Sequence, residues 1–402
     1  MLTTHIYQRA SVFDIAADPR SLVDGRPIVE RLAFLPPTVL DVPPIYFGDP
    51  DLNRDGIVLQ HKLGDPGGSR LTRPEATPAF LLRNAMVHGK YGVITLDDRV
   101  LEETLYHFPM HNVSGAAWEN ESKLRLPQLP LSTTVSSAYH LLACNIDNYF
   151  HWMIDLVARF NASLHEALQC APETTETPLL LLPTLDTSWK RESIDLAVPK
   201  TLPRILLTAE ARVFVQRLLY VPDLSGAGFN PHPALLNMFD TIRAGVLGET
   251  RAPRPWRRLY IDRADSRGRV LTNEAQVIER ASQAGFIPVL LSKLSVREQA
   301  QLFAEASHIL APHGAGLTNI GFCQPSSMLC ELQMDSYVQW AFRLLAALRG
   351  VRYGCLVGVT IGERRPWVHS NIWQLDITAL DAVLNDPKFI ATSDHEVSTD
   401  PQ

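Results

Sequence analysis

The sequence predicts an α/β protein: two tandem domains, each built on a mostly parallel sheet, behind a β-rich N-terminal extension. Three observations carry this. From residue 136 onward, apolar runs of strand length alternate with segments of helical period, the pattern of a parallel sheet covered by helices. The alternation is written twice, on either side of the polar, proline-interrupted stretch 249–255. The first 132 residues are instead rich in Pro and Gly, with short β-branched runs such as Gly92-Val-Ile-Thr-Leu96, which read as strands and loops.

Each element follows from local pattern. Residues 138–143 read as a buried strand. A helix over 148–170 is predicted from Phe150, Ile154, Val157, Phe160, Leu164 and Leu168, which recur every three or four positions. Strands over 179–182, 204–207 and 213–221 and a helix over 187–196 complete the first α/β unit. The second has strands over 258–262, 286–290, 308–311 and 328–332, with helices over 274–284, 296–306 and 338–348. Asn273-x-x-Gln276 and Ser295-x-x-Glu298 fit capping boxes at two of those helix starts. The expected division is 1–245 for the extension plus first domain, 256–350 for the second, 351–387 for a segment packing back on them, and 388–402 for a disordered tail. Tandem α/β domains of this kind place a cleft at the carboxyl ends of their strands, where ligands bind.

Composition narrows the function. Lys+Arg number 37 against 43 Asp+Glu, a net charge of −6, which argues against a nucleic-acid partner. The 402 residues suffice for a large core without metal or disulfide staples. Five scattered Cys with no C-x-x-C pair fit a reduced interior. The N-terminus has no signal-peptide run, and no apolar stretch reaches membrane-spanning length, so a cytoplasmic address is expected, at most peripheral at the inner membrane face. The sequons at Asn112, Asn120 and Asn161 are then chance.

The densest chemistry lies in His313-Gly314-Ala315-Gly316-Leu-Thr318-Asn319, at the end of a predicted strand with a short helix beginning near Leu317. Glycines let backbone N–H groups approach an anion, a helix start adds partial positive charge, and His313, Thr318 and Asn319 add donors. A tight turn shaped for geometry alone is the competing reading. Arg263, Arg267 and Arg269 follow the first strand of the same domain, where guanidinium forks suit a pyrophosphate. Glu331, at the end of a strand, is placed to accept from ribose hydroxyls. In the other domain Asn148, His151, Asp155 and Arg159 fall on one helical stripe, with Trp152 alongside. His151 and Asp155 are a turn apart, as an acid–base pair requires. Several motifs are excluded: there is no G-x-S-x-G and no P-loop. Asp51-x-Asn53-x-Asp55-Gly56 lacks the calcium loop's closing Glu because Lys62 stands there, and Asp49-Pro-Asp51 reads as turn chemistry.

Taken together, these segments resemble glycosyltransferase family 61. The resemblance rests on Arg263, Arg269-x-x-x-Asn273-Glu274, Gly285-Phe286, Glu298-Gln299, His313 to Asn319, Phe322 and Glu331-Leu332, with Asn148-x-x-His151-Trp152-x-x-Asp155 in the earlier half. It implies two Rossmann-like domains of the GT-B type and inverting, metal-independent hexosyl or pentosyl transfer. The donor would be a nucleotide-sugar, commonly UDP-linked. The acceptor would be a glycan or lipid-linked glycan, as in bacterial capsular polysaccharide biosynthesis. No cofactor is implied, and a homo-oligomer stays open. By position, Arg263, Arg267, Arg269, His313, Gly314, Ala315, Gly316, Thr318, Asn319 and Glu331 would hold the donor. Asp155 or His151 would be the base, with Asn148, Trp152 and Arg159 on the acceptor side. A catalytically silent nucleotide- or carbohydrate-binding module is the alternative.

Overall fold

The computed structural model describes residues 3–48, 68–73, 77–105, 115–161, 178–222, 224, 229–248, 254–266 and 268–390. Arg267, the Asp49–Asp51 and Asp51–Lys62 motifs, the sequon at Asn112, residues 162–170 of the predicted helix, most of the 249–255 stretch and the tail from 391 lie outside them. The chain forms two compact units, Met1–Thr38 with Pro74–Ser225, and Val39–Arg73 with Gly226–Gln402.

The first unit is built on one sheet. Its strands are β1 (Thr4–Ala10), β2 (Val29–Leu35), β3 (Thr77–His88), β4 (Val93–Leu96), β5 (Arg99–Leu101), β6 (Ala117–Asn120), β7 (Lys123–Pro127), β8 (Thr133–His140), β9 (Leu179–Pro183), β10 (Arg204–Leu207) and β11 (Arg212–Tyr220). They run in the order β6-β7-β1-β5-β4-β3-β11-β8-β9-β10, with β2 beside β3. Only β11-β8-β9-β10 is a continuous parallel block. The join of β11 to β3 and most pairings beyond it are antiparallel. The expectation of a mostly parallel sheet is therefore corrected to a mixed one. The physical reason is that the short N-terminal strands extend the sheet through hairpins instead of forming a separate layer. Its centre is dry: Phe80, Leu82, Leu181, Val213, Val215 and Leu218 are buried in one cluster. The Leu-Leu-Leu-Leu-Pro run of β9 is apolar on both faces, as a strand inside a parallel block requires.

The second unit has β12 (Arg257–Ile261), β13 (Val270–Leu271), β14 (Ile287–Val289), β15 (Ala306–Pro312), β16 (Met328–Met334), β17 (Arg352–Thr360) and β18 (Ile372–Gln374). Their order is β13-β18-β17-β16-β15-β12-β14. Five of them, β14-β12-β15-β16-β17, are parallel. Numbered along the chain, those five stand 2-1-3-4-5, a doubly wound order whose switch point lies between β12 and β15. Ser295 and Glu298 form the predicted capping box at the start of helix Val296–Ala304. Asn273 does not form one at Glu274–Gln283: its side chain instead bonds both the carbonyl and the amide of Leu375, tying the 372–375 segment to the helix start. The predicted helix over 338–348 begins at Ala341, and that near Leu317 is a 3-10 helix, Ala315–Phe322.

Packing explains where the units divide. Helix Leu236–Leu247 sets the Phe239 ring against Phe322 at 4.9 Å, and a Cβ on Gly321 would stand 2.5 Å from that ring. The helix, read in sequence as closing the first domain, therefore groups with the second unit. The earlier segment joins it too, because Tyr46 N–H bonds the Tyr353 carbonyl and the Phe47 ring lies tilted against Phe389 at 4.7 Å.

Candidate active site

In the second unit the site grows out of the switch point. β12 ends at Ile261 and delivers Arg263, while β15 ends at Pro312 and delivers His313. The guanidinium of Arg263 donates to the His313 carbonyl and, at 2.6 Å, to the Ser266 hydroxyl. Glycine at 314 makes room for this. A Cβ there would lie 3.0 Å from Arg263 Nη1. Gly316 answers to packing as well, since a Cβ would press within 2.7 Å of Leu291. Both glycines thus sit where a side chain would crowd a neighbour, and the His313 N–H is engaged by the Leu332 carbonyl.

Arg269 arrives from the other side of the same loop. Its backbone is left-handed (φ 51°), a conformation that costs a non-glycine residue on the order of 1 kcal/mol. The N–H bond of Arg269 to the His369 carbonyl, 2.8 Å, holds it there. Nη2 reaches the His313 carbonyl at 3.5 Å, and Nη1 meets His369 Nδ1 at 2.5 Å. A guanidinium can only donate, so His369 Nδ1 is the acceptor and the ring's proton sits on Nε2. The Arg269 guanidinium also lies 5.1 Å from the Tyr337 ring centre, and its buried Nε has no hydrogen-bond partner. Among the described residues no carboxylate ion-pairs with either arginine. Burial, helped by the neighbouring Arg269, pushes the Arg263 guanidinium down to about 10, and burial lowers Arg269 as well. Two desolvated cations with spare donors are chemically suited to an anion. A cavity of about 100 Å³ opens here, lined by Arg263, Ser266, Gly268, Arg269, Glu274 and Pro312 among others.

Of the remaining predicted donor residues, Glu331 and Asn319 have side-chain partners, whereas the buried Thr318 hydroxyl has no hydrogen-bond partner among the described residues. Glu331 is fully buried on β16. One oxygen takes His313 Nδ1 at 2.6 Å; the other accepts from Tyr353 at 2.6 Å and Gln333 at 3.3 Å. It orients His313 from a fully buried position. Asn319 is buried and donates to Gln299 at 2.7 Å; Thr318 is buried beside it. Ala315 is half-buried. His369, Tyr337 and Ser266 belong to the site although no motif announced them: two come from the region after residue 335, where spacing alone carries no signal.

In the first unit, Asn148 caps the helix by accepting from the Phe150 N–H at 2.9 Å. His151 Nδ1 and Asp155 Oδ2 are 2.6 Å apart and both side chains are partly exposed, 25% and 20%. The backbone widens to a π-helix over Trp152–Val157, a distortion frequent at functional sites. Trp152 and Arg159 face inward. Trp152 is fully buried and donates to Ser193 at 2.7 Å; Arg159 donates to the carbonyls of Leu142 and Val221. Both anchor the helix, and neither is open to an acceptor. Lys190, buried against Trp152, bonds Asp147 at 2.6 Å and Asp186 at 2.9 Å, fixing the helix entry. Among the described residues no group of three His, Cys, Asp or Glu is placed to hold a metal ion.

The second unit is thus a doubly wound α/β domain with two arginines at its switch point, and the first unit carries a histidine paired with a carboxylate. Residues 149–330 match the family model described as Glycosyltransferase 61. The match takes in His151, Asp155, both arginines and His313 to Asn319. No curated protein matches the chain.

Proposed function

We propose that the chain is an inverting glycosyltransferase using a nucleotide-sugar, UDP-linked in the first instance, and transferring a hexosyl or pentosyl group to a glycan hydroxyl in polysaccharide biosynthesis. One observation carries the reading: Arg263 and Arg269 converge on the His313 carbonyl, and among the described residues neither forms an ion pair with a carboxylate. A diphosphate fits that need, with guanidinium forks and the His369 Nε2–H donating to its oxygens. As the bond from the anomeric carbon to the phosphate oxygen breaks, its electron pair moves onto the diphosphate, and the arginines take up the charge in place of a metal.

Asp155 accepts from His151 Nδ1, which leaves the lone pair on Nε2. That nitrogen takes the proton of the acceptor hydroxyl as its oxygen bonds to the anomeric carbon from the side opposite the leaving group, inverting the centre. Asp155 serves as the orienting carboxylate. The test is thermal unfolding with UDP, GDP, dTDP and their sugars. A ligand that binds only the native state raises its melting temperature. The expected result is a shift with one nucleotide family, UDP first; no shift with any of them removes the proposal.

A further inference from the structure

The pair of arginines in the second unit continues outward through aromatic rings. The Arg269 guanidinium stands 5.1 Å from the Tyr337 ring centre and donates through Nη1 to His369 Nδ1 at 2.5 Å. Tyr337 and His369 lie 5.0 Å apart, and beyond them the Trp367 indole lies 4.8 Å from the His369 ring. The indole is therefore one imidazole away from the guanidinium. It meets that imidazole at 65° instead of stacking on it, and Trp367 is 64% exposed, so a flat partner has room against it.

The turn that carries the indole is fixed in place. Val368–Ser370 forms a 3-10 turn, and the Trp367 carbonyl accepts from the Ser370 N–H at 2.9 Å and the Ser370 hydroxyl at 2.7 Å. The Asn371 N–H bonds the Val368 carbonyl at 3.1 Å, and Asn371 Oδ1 accepts from the Arg365 N–H at 2.8 Å. On the arginine side, the Arg269 N–H bonds the His369 carbonyl, and a Cβ on Gly268 would stand 2.9 Å from that oxygen. These bonds hold the spacing between Trp367 and Arg269.

A lone exposed tryptophan says little. One held at a set distance from two desolvated guanidinium groups selects a ligand that is anionic at one end and flat and aromatic at the other. A nucleoside diphosphate has that form: one ribose separates its phosphates from its base, as one imidazole separates the guanidinium from the indole. Every base has a π face, and stacking on an aromatic side chain gives affinity without a particular hydrogen bond.

We propose that Trp367 stacks on the nucleobase while Arg263 and Arg269 hold the diphosphate. The inference rests on the donor reading above and names the residue that recognises the base. It is tested by calorimetric titration of the full chain with UDP, GDP, dTDP, the corresponding nucleotide-sugars and inorganic pyrophosphate. Trp367→Ala should lose about tenfold or more in affinity for the nucleotide that the parent binds, with pyrophosphate affinity unchanged, and Trp367→Phe should recover most of the loss. Because the side chain is exposed, both variants should melt with the parent. Unchanged nucleotide affinity in Trp367→Ala overturns the proposal and leaves the donor reading standing. So does an equal loss for nucleotide and pyrophosphate, which makes Trp367 a prop for Arg269. A loss confined to the nucleotide-sugar gives the indole to the sugar and overturns it as well. If the parent binds none of the nucleotides, the donor reading fails and this inference fails with it.

Discussion

Arg269 sits in an unfavourable place by every local measure. Its backbone is left-handed, its Nε is buried without a partner, and burial opposes its charge. Such strain persists only where the surroundings impose it, and here a hydrogen bond from its own N–H to His369 and a stacked Tyr337 do so. A bound diphosphate would satisfy the spare donors. Arg269→Ala should therefore weaken nucleotide binding by about 10- to 100-fold, the worth of one or two charge-assisted bonds, as read by calorimetric titration. Arg269→Lys should not restore it, because an ammonium cannot bridge His369 and an anion in the same plane. Full affinity in either variant would mean that the anion binds elsewhere. In the first unit, Asp155→Asn leaves the shape of the pair but removes the carboxylate that fixes the His151 tautomer. Turnover should fall by about 100-fold or more with donor affinity nearly intact. A loss confined to donor affinity would contradict the role.

Among the elements, β3 and β8 each bury a histidine. His88 bonds Thr95 at 2.9 Å and His140 bonds the Gly92 carbonyl at 2.7 Å, and burial holds both near 3, against an ordinary value of 6.5. Between those values the unfolded chain binds a proton that the folded chain refuses. Stability from these rings is thus complete above about pH 6.5 and is lost as pH falls toward 3, at ~1.4 kcal/mol per pH unit for each ring. Denaturant midpoints should drop accordingly below neutrality; a level profile down to pH 4.5, roughly the middle of that window, would contradict it. At the carboxyl end of β15, Gly314→Ala should displace Arg263 and lower nucleotide affinity while the melting temperature stays close to that of the parent.

The same elements show what the sequence made legible. Helical period and apolar runs placed four strands and three helices of the second unit within a few residues, because each is a local pattern backed by burial; β13, β17, β18 and the helices Leu236–Leu247 and Ile377–Leu384 were not read. Pairing was not legible: nothing in the short N-terminal runs says that they extend a parallel block through hairpins. Asn273 matched a capping box by spacing, yet a long-range bond to Leu375 outcompeted the local one. At the site, Arg263, Arg269 and His313 were readable from their positions after strands. The partners of Glu331 were not legible, since only the fold brings Tyr353 and Gln333 to its second oxygen. His369 and Tyr337 gave no signal at all. They reach Arg269 through β-strand pairing from 68 or more residues away.

For the whole molecule, the account separates labour between the two units: proton transfer in the first, donor charge in the second. Changes at His151 and Asp155 should act on turnover, and changes at Arg263 and Arg269 on donor affinity, with little crossover between the two sets. A reversed pattern would exchange the roles. The most direct measurement is a calorimetric titration of UDP into the full chain and into an Arg263→Ala, Arg269→Ala variant whose fold is checked by its melting curve. The predicted result is saturable binding to the parent and none to the folded variant. Equal binding to both would contradict the claim that these two arginines hold the diphosphate.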